Sequence, residues 1–205
     1  MDEHYAFFLK KFGPAMERRE VPASSIAKYK HRLPDQLLDY WADHGWSGYA
    51  EGLFWTVNPQ DYEEILDQWL SDTKFCSQDN YHVIARSAFG KLYVWGEKNG
   101  FSLTITSSMA RYVERESKFK GDALDLGIRA FFSTKSPKTN GFEELFLPAL
   151  ETLGLLKADE MYGFVPALAL GGPMELKNLK KVKTIEHLTF LSQLSPLQDW
   201  GFPDV

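Results

Sequence analysis

A chain of 205 residues with 44% apolar and 15% aromatic residues has enough large side chains for one sizeable core or two small ones, which excludes a disordered tail. The net charge of −5 argues against a nucleic-acid binder driven by counterion release, and a single cysteine, Cys76, rules out an internal disulfide and a thiolate zinc cage. No run approaches the ~18 apolar residues that span a bilayer, and the opening Met-Asp-Glu-His lacks a basic leader, so the expected location is the cytoplasm with no membrane partner.

Tyr5, Phe8, Leu9 and Phe12 recur at helical spacing and stop at Gly13 and Pro14, which predicts a short amphipathic helix. A second helix is expected from Ser24, and a third over residues 34–44, with Pro34 at its start, Leu37, Leu38, Trp41 and Ala42 on one face, and Gly45 at its end. Residues 48–57 are aromatic and β-prone. Asn58 and Pro59 then open a helix with Tyr62, Ile65, Leu66 and Trp69 on one side and acids on the other. The period changes to two over residues 81–87, 91–95 and 101–106, three strands expected to form an antiparallel meander through turns at Gly90 and at Asn99-Gly100.

The charged stretch 114–122 has little to bury and is the expected boundary between two parts, residues 1–116 and 117–205. Beyond it the chain reads as mostly helical. One helix is capped by Asp122 and runs to about Phe132; another follows Gly141 with Phe142, Leu145, Phe146 and Leu150 on one face; the last is capped by Thr184. The expected fold class is α+β: N-terminal helices with an antiparallel sheet, then a mostly helical C-terminal part.

Catalytic patterns are weak. Cys76, Asp79 and His82 lie close in sequence, but nucleophile and base are usually assembled from distant segments, so no catalytic residue is assigned. His4, His31, His44, His82 and His187 include no pair at helical metal-ligand spacing, so no metal and no cofactor are expected. Gly171-Gly172-Pro173 lacks a phosphate loop's context and reads as a turn. Lys177, Lys180, Lys181 and Lys183 read as the solvated edge of a packed segment rather than a nucleic-acid site.

Charge distribution says more. Residues 33–73 hold nine acids and no Lys or Arg, where the chain's average would place about four or five; the rest carries 19 acids and 23 bases. Aromatics such as Tyr40, Trp41, Trp46, Tyr49, Phe54 and Trp55 lie in the same window, and aromatic anchors among charges are what tight interfaces use. Asp39, Asp43, Glu51, Asp61, Glu63, Glu64 and Asp67 are therefore the expected partner-binding residues, facing a basic protein partner.

Two sets of segments resemble known families. FGPA (12–15), LPDQLLDYW (33–41), HGW (44–46), GLFWTVNP (52–59) and YVWG (93–96) resemble the GAD-like domain. DEMYGFVPAL (159–168), Gly171-Gly172 and His187-Leu188 resemble the C-terminal domain of type VI secretion immunity proteins of the Tdi type. That resemblance implies a non-enzymatic immunity protein that binds a DNase effector encoded beside it. A nuclease must carry basic surface to hold phosphate, which matches an acidic inhibitor. The alternative is a small-molecule hydrolase or ligand-binding enzyme using a cleft between the two halves.

Overall fold

The computed structural model describes residues 2–142 and 144–201. Its frame is an eight-stranded sheet in the order β1 (Met16–Arg19), β2 (Trp46–Tyr49), β3 (Phe54–Thr56), β4 (Tyr81–Ser87), β5 (Lys91–Gly96), β6 (Gly100–Thr106), β7 (Arg111–Glu114) and β10 (Gln198–Asp199). Every pairing is antiparallel except β7 with β10. β8 (Glu160–Phe164) and β9 (Leu179–Lys183) form a separate antiparallel ribbon. The expected meander is β4–β6, and the expected α+β class holds. The aromatic stretch 48–57 is the β2–β3 hairpin, and it needs Gly48, because a Cβ there would lie 2.8 Å from the Trp55 ring.

The sheet is apolar on both faces because both are covered. One face carries Phe54, Ile84, Tyr93 and Trp95 and packs under α1 (Glu3–Phe12), α3 (Asp35–His44) and α5 (Leu124–Thr134). The other carries Trp55, Val83, Leu92, Val94, Leu103 and Ile105 and packs under α4 (Glu63–Leu70), α6 (Phe146–Leu153), α7 (Thr184–Leu194) and the β8–β9 ribbon. The chain beyond β7 thus contributes to both layers, α5 on one side and β8, β9 and α7 on the other.

On the first side Asp2 organises three helices. It caps α1 by accepting from the amides of His4 and Tyr5, accepts the Tyr40 hydroxyl of α3 at 2.7 Å, and lies 3.4 Å from Arg129 of α5. α2 (Ala23–Tyr29) begins where Ser24 predicted. Two expected caps are corrected. Asp122 sits inside a 3₁₀ turn whose cap position is Lys120, and α5 follows Ala123 with no side-chain cap bond. Thr184 is the first residue of α7 rather than its cap, because Lys183 continues β9 to the helix start, and its buried hydroxyl has no partner among the described residues.

On the second side the organising group is Arg86, with no exposed surface. Its guanidinium lies 5.0 Å from the Trp55 ring, and Nη2 donates to the carbonyls of Ala158 and Glu160, both at 2.9 Å. Arg86→Met would keep the bulk and remove those donors. It is expected to destabilise the protein by about 3 kcal/mol, read as a lower urea midpoint; an unchanged midpoint would show that this link does not hold the ribbon to the sheet.

Candidate docking surface and the adjoining cleft

The structure places Asp39 and Asp43 one turn apart and exposed on α3, whose inner residues Leu37, Leu38, Tyr40 and Trp41 face the first core. Asp61, Glu64 and Asp67 are exposed on the second side, three residues apart, in a 3₁₀ turn (Pro59–Tyr62) and the α4 helix that continues it. Spacing of three puts them on one stripe. α3 and α4 cover opposite faces of the sheet, so the structure brings Asp61, Glu64 and Asp67 together and leaves Asp39 and Asp43 apart from them. Glu51 is exposed in the β2–β3 turn, where Ala50 and Glu51 have φ of 49° and 56°. Glu63 is already engaged: one carboxylate oxygen accepts from Lys28 Nζ at 2.8 Å and from the Tyr29 hydroxyl at 3.1 Å. Lys28 lies just before the base-free window, so a run that is purely acidic in sequence is partly neutralised in space.

Beside this stripe lies a cleft of about 380 Å³, entirely within the first 82 residues, whose walls include Lys28, Glu63, Asp67, Cys76, Asp79 and His82. The sequence neighbours Cys76, Asp79 and His82 do meet there, but in separate roles. His82, 4% exposed, has Nε2 2.9 Å from Glu97 Oε1. That oxygen also accepts from Arg32 Nε at 2.8 Å, and the other carboxylate oxygen accepts from Asn80 at 3.2 Å. Asp79 is spent on the backbone, taking the amides of Asn80, Lys98 and Asn99 and so clamping the β5–β6 turn. Cys76 is exposed at the end of a short 3₁₀ turn and makes no hydrogen bond to His82. His82 Nδ1 is buried without a partner among the described residues. The arrangement orients an imidazole but delivers no nucleophile to it.

Burial lowers the His82 pKa, with the Glu97 bond opposing. Burial raises that of Glu97, but the hydrogen bonds from His82, Asn80 and Arg32 outweigh it and hold the carboxyl below its usual value. Sequence reasoning missed Glu97, Arg32 and Lys28, which are single charged residues in different elements; only the pairing of β4 with β5 and the return of α2 bring them together.

The lysines near the C-terminus edge the ribbon. Lys180, Lys181 and Lys183 are exposed on β9; Lys183 pairs with Asp159, and Lys177 with Glu175 at 2.7 Å. Gly171-Gly172-Pro173 is a turn, entered with Gly171 at φ 79°. His187 packs half-buried against Gly163 rather than on an open helix surface, and burial lowers its pKa. Among the described residues, no group of three or more His, Cys, Asp or Glu is placed to hold a metal ion, and no helix is long and apolar enough to cross a membrane.

Residues 3–109, from α1 through the β6 strand, match the model of the GAD-like domain. The chain belongs to the GAD-like family. In this family member residues 126–195 also match the model described as T6SS immunity protein Tdi1, C-terminal, where T6SS is the type VI secretion system. Among solved structures it is similar to that described as "Crystal structure of Atu4351 from Agrobacterium tumefaciens", with a TM-score of 0.83 and 25% identity over 97% of this chain and 94% of that one. No curated protein sequence matches.

Glu97 sets a pH dependence. A carboxyl whose folded pKa lies below its unfolded value stabilises fully above about pH 4.5 and loses that contribution as pH falls through the folded value. Glu97→Gln is expected to cost about 1–2 kcal/mol at pH 7 and to flatten the acid decline of stability below pH 4.5. Urea melts between pH 3 and 7 check this; parallel curves for the two proteins would contradict it.

Proposed function

We propose that this protein is an immunity protein that binds a nuclease effector of the type VI secretion system, one to one, in the cytoplasm of the producing cell. The match of residues 126–195 to the C-terminal domain of the immunity protein Tdi1 carries this reading. The acidic stripe supports its electrostatic form. A nuclease holds phosphate on basic surface, so carboxylates presented there compete with DNA and steer the encounter.

Of the seven acids expected at the interface, Asp61, Glu64 and Asp67 are the proposed contacts. They are exposed, contiguous and have no ion pair among the described residues. A standard interface covers about 800 Å² on each partner, too little to wrap from α4 around the sheet to Asp39 and Asp43. Glu63 shapes the rim through Lys28 and Tyr29, and Glu51 lies outside the stripe. No catalytic step is assigned, since the cleft beside the stripe lacks a nucleophile bonded to its histidine.

Mixing the protein with the nuclease domain encoded beside it should abolish DNA cleavage at a 1:1 ratio. Changing Asp61, Glu64 and Asp67 together to Lys should slow association at low salt by at least about tenfold, while the same change at Asp39 and Asp43 should alter it by less than about threefold. Equal losses from both sets would move the interface off α4. Absence of binding at micromolar concentration would defeat the immunity reading for that nuclease.

A further inference from the structure

The cleft beside the acidic stripe has an unanswered acceptor in its wall. Glu97 is held as a carboxylate, which can only accept, so the proton between it and His82 sits on Nε2 of the imidazole. Burial lowers the pKa of the ring, which therefore carries no second proton at pH 7. Nδ1 is then a lone-pair acceptor on a residue only 4% exposed, and it has no partner among the described residues. Leaving such a group unpaired is costly, and an N–H donor from outside would answer it. The charge of the cleft points the same way. Its two bases are already paired, Lys28 with Glu63 and Arg32 with Glu97, both at 2.8 Å. Asp67 and Asp79 on the same wall have no ion pair among the described residues, which leaves the cleft negative. Leu66, Leu70 and Phe75 supply the apolar part of the lining. Apolar surface for a stem and acids for a head are what a long basic side chain requires.

We propose that this cleft is the anchor pocket for one arginine of the nuclease, its guanidinium held by Asp67, Asp79 and His82 Nδ1 and its methylenes lying on Leu66, Leu70 and Phe75. The inference rests on the immunity reading above and gives the acidic stripe a fixed point, since Asp67 belongs to both. A volume of about 380 Å³ fits one long side chain rather than a helix. The planar fork of a guanidinium presents five N–H groups in set directions. It suits acceptors on different segments, α4, the turn before β4 and β4 itself, better than the compact ammonium of lysine. An arginine seated in a pocket carries binding energy, whereas charges on an exposed rim mostly set the rate of encounter.

Two measurements on the full chain test this. In the first, n-propylguanidine, the arginine side chain without its backbone, is titrated in while the ring nitrogens of His82 are followed by NMR. The Nδ1 resonance is expected to move and to saturate with a midpoint of about 1–10 mM, and butanoate is expected to leave it in place. No saturable movement, or an equal response to butanoate, would overturn the guanidinium pocket whatever the nuclease does. The second uses Cys76, the chain's single cysteine, which is exposed on the cleft wall. Alkylating it with N-ethylmaleimide plugs the cleft and should weaken binding of the nuclease domain encoded beside this protein by at least about tenfold, with Cys76→Ser insensitive to the reagent. Equal affinity before and after alkylation would overturn the anchor and leave the immunity reading standing. If the unmodified chain binds no nuclease, the immunity reading falls and the anchor with it, and the propylguanidine titration tells the two failures apart.

Discussion

One guanidinium holds the second side of the molecule together. Arg86 points from the middle of the sheet into an apolar layer, where a charge without partners would be costly. It is accommodated by dipoles instead of acids: the carbonyls of Ala158 and Glu160, the Trp55 ring and the buried Tyr62 phenol. These belong to three different parts of the chain. Tyr62 leads into α4, Trp55 sits in β3, Ala158 lies just before β8 and Glu160 opens it. The helix that carries the acidic stripe and the ribbon of the C-terminal third therefore take their positions from the same side chain.

That arrangement explains how α4 can present its acids. Its inner residues Ile65, Leu66, Trp69 and Leu70 are buried against the sheet, and its outer residues are left to solvent. A stripe on a helix backed by a packed core is pre-organised, so little ordering would be required for the proposed partner to bind. The opposite layer is secured differently. There Asp2 ties α1, α3 and α5 through a cap, a hydroxyl and an arginine, and Tyr5 meets Tyr49 hydroxyl to hydroxyl at 2.8 Å. Polar contacts in each layer fix which element lies beside which, while aromatic bulk fills the space between.

The long elements were legible because their patterns are local. The helical spacing of Tyr5, Phe8 and Phe12, the Pro34 start of α3 and the alternation in β4 to β6 each read correctly without knowledge of the rest. The short strands were not legible. β1 holds Glu17, Arg18 and Arg19 at a sheet edge with little to bury, and β10 is only Gln198 and Asp199 paired with β7; such strands exist because a neighbour offers free hydrogen-bonding groups. The charged run 114–122 likewise begins in β7, so its polarity reflects an outer strand and the loop that follows it. Charge along the chain revealed an acidic region but not its shape: a 41-residue window is long enough to cross from one face of a sheet to the other, as it does between Asp43 and Asp61.

The chain beyond β7 lies on both sides of the sheet, and this bears on how the protein is made. By the time β7 has left the ribosome, all but one strand of the frame exists, yet α5, β8, β9 and α7 are still to come. Two greasy surfaces, one lined by Tyr93 and Trp95 and the other by Leu92 and Val94, must wait uncovered. Until they are covered, such surfaces make a nascent chain prone to aggregation.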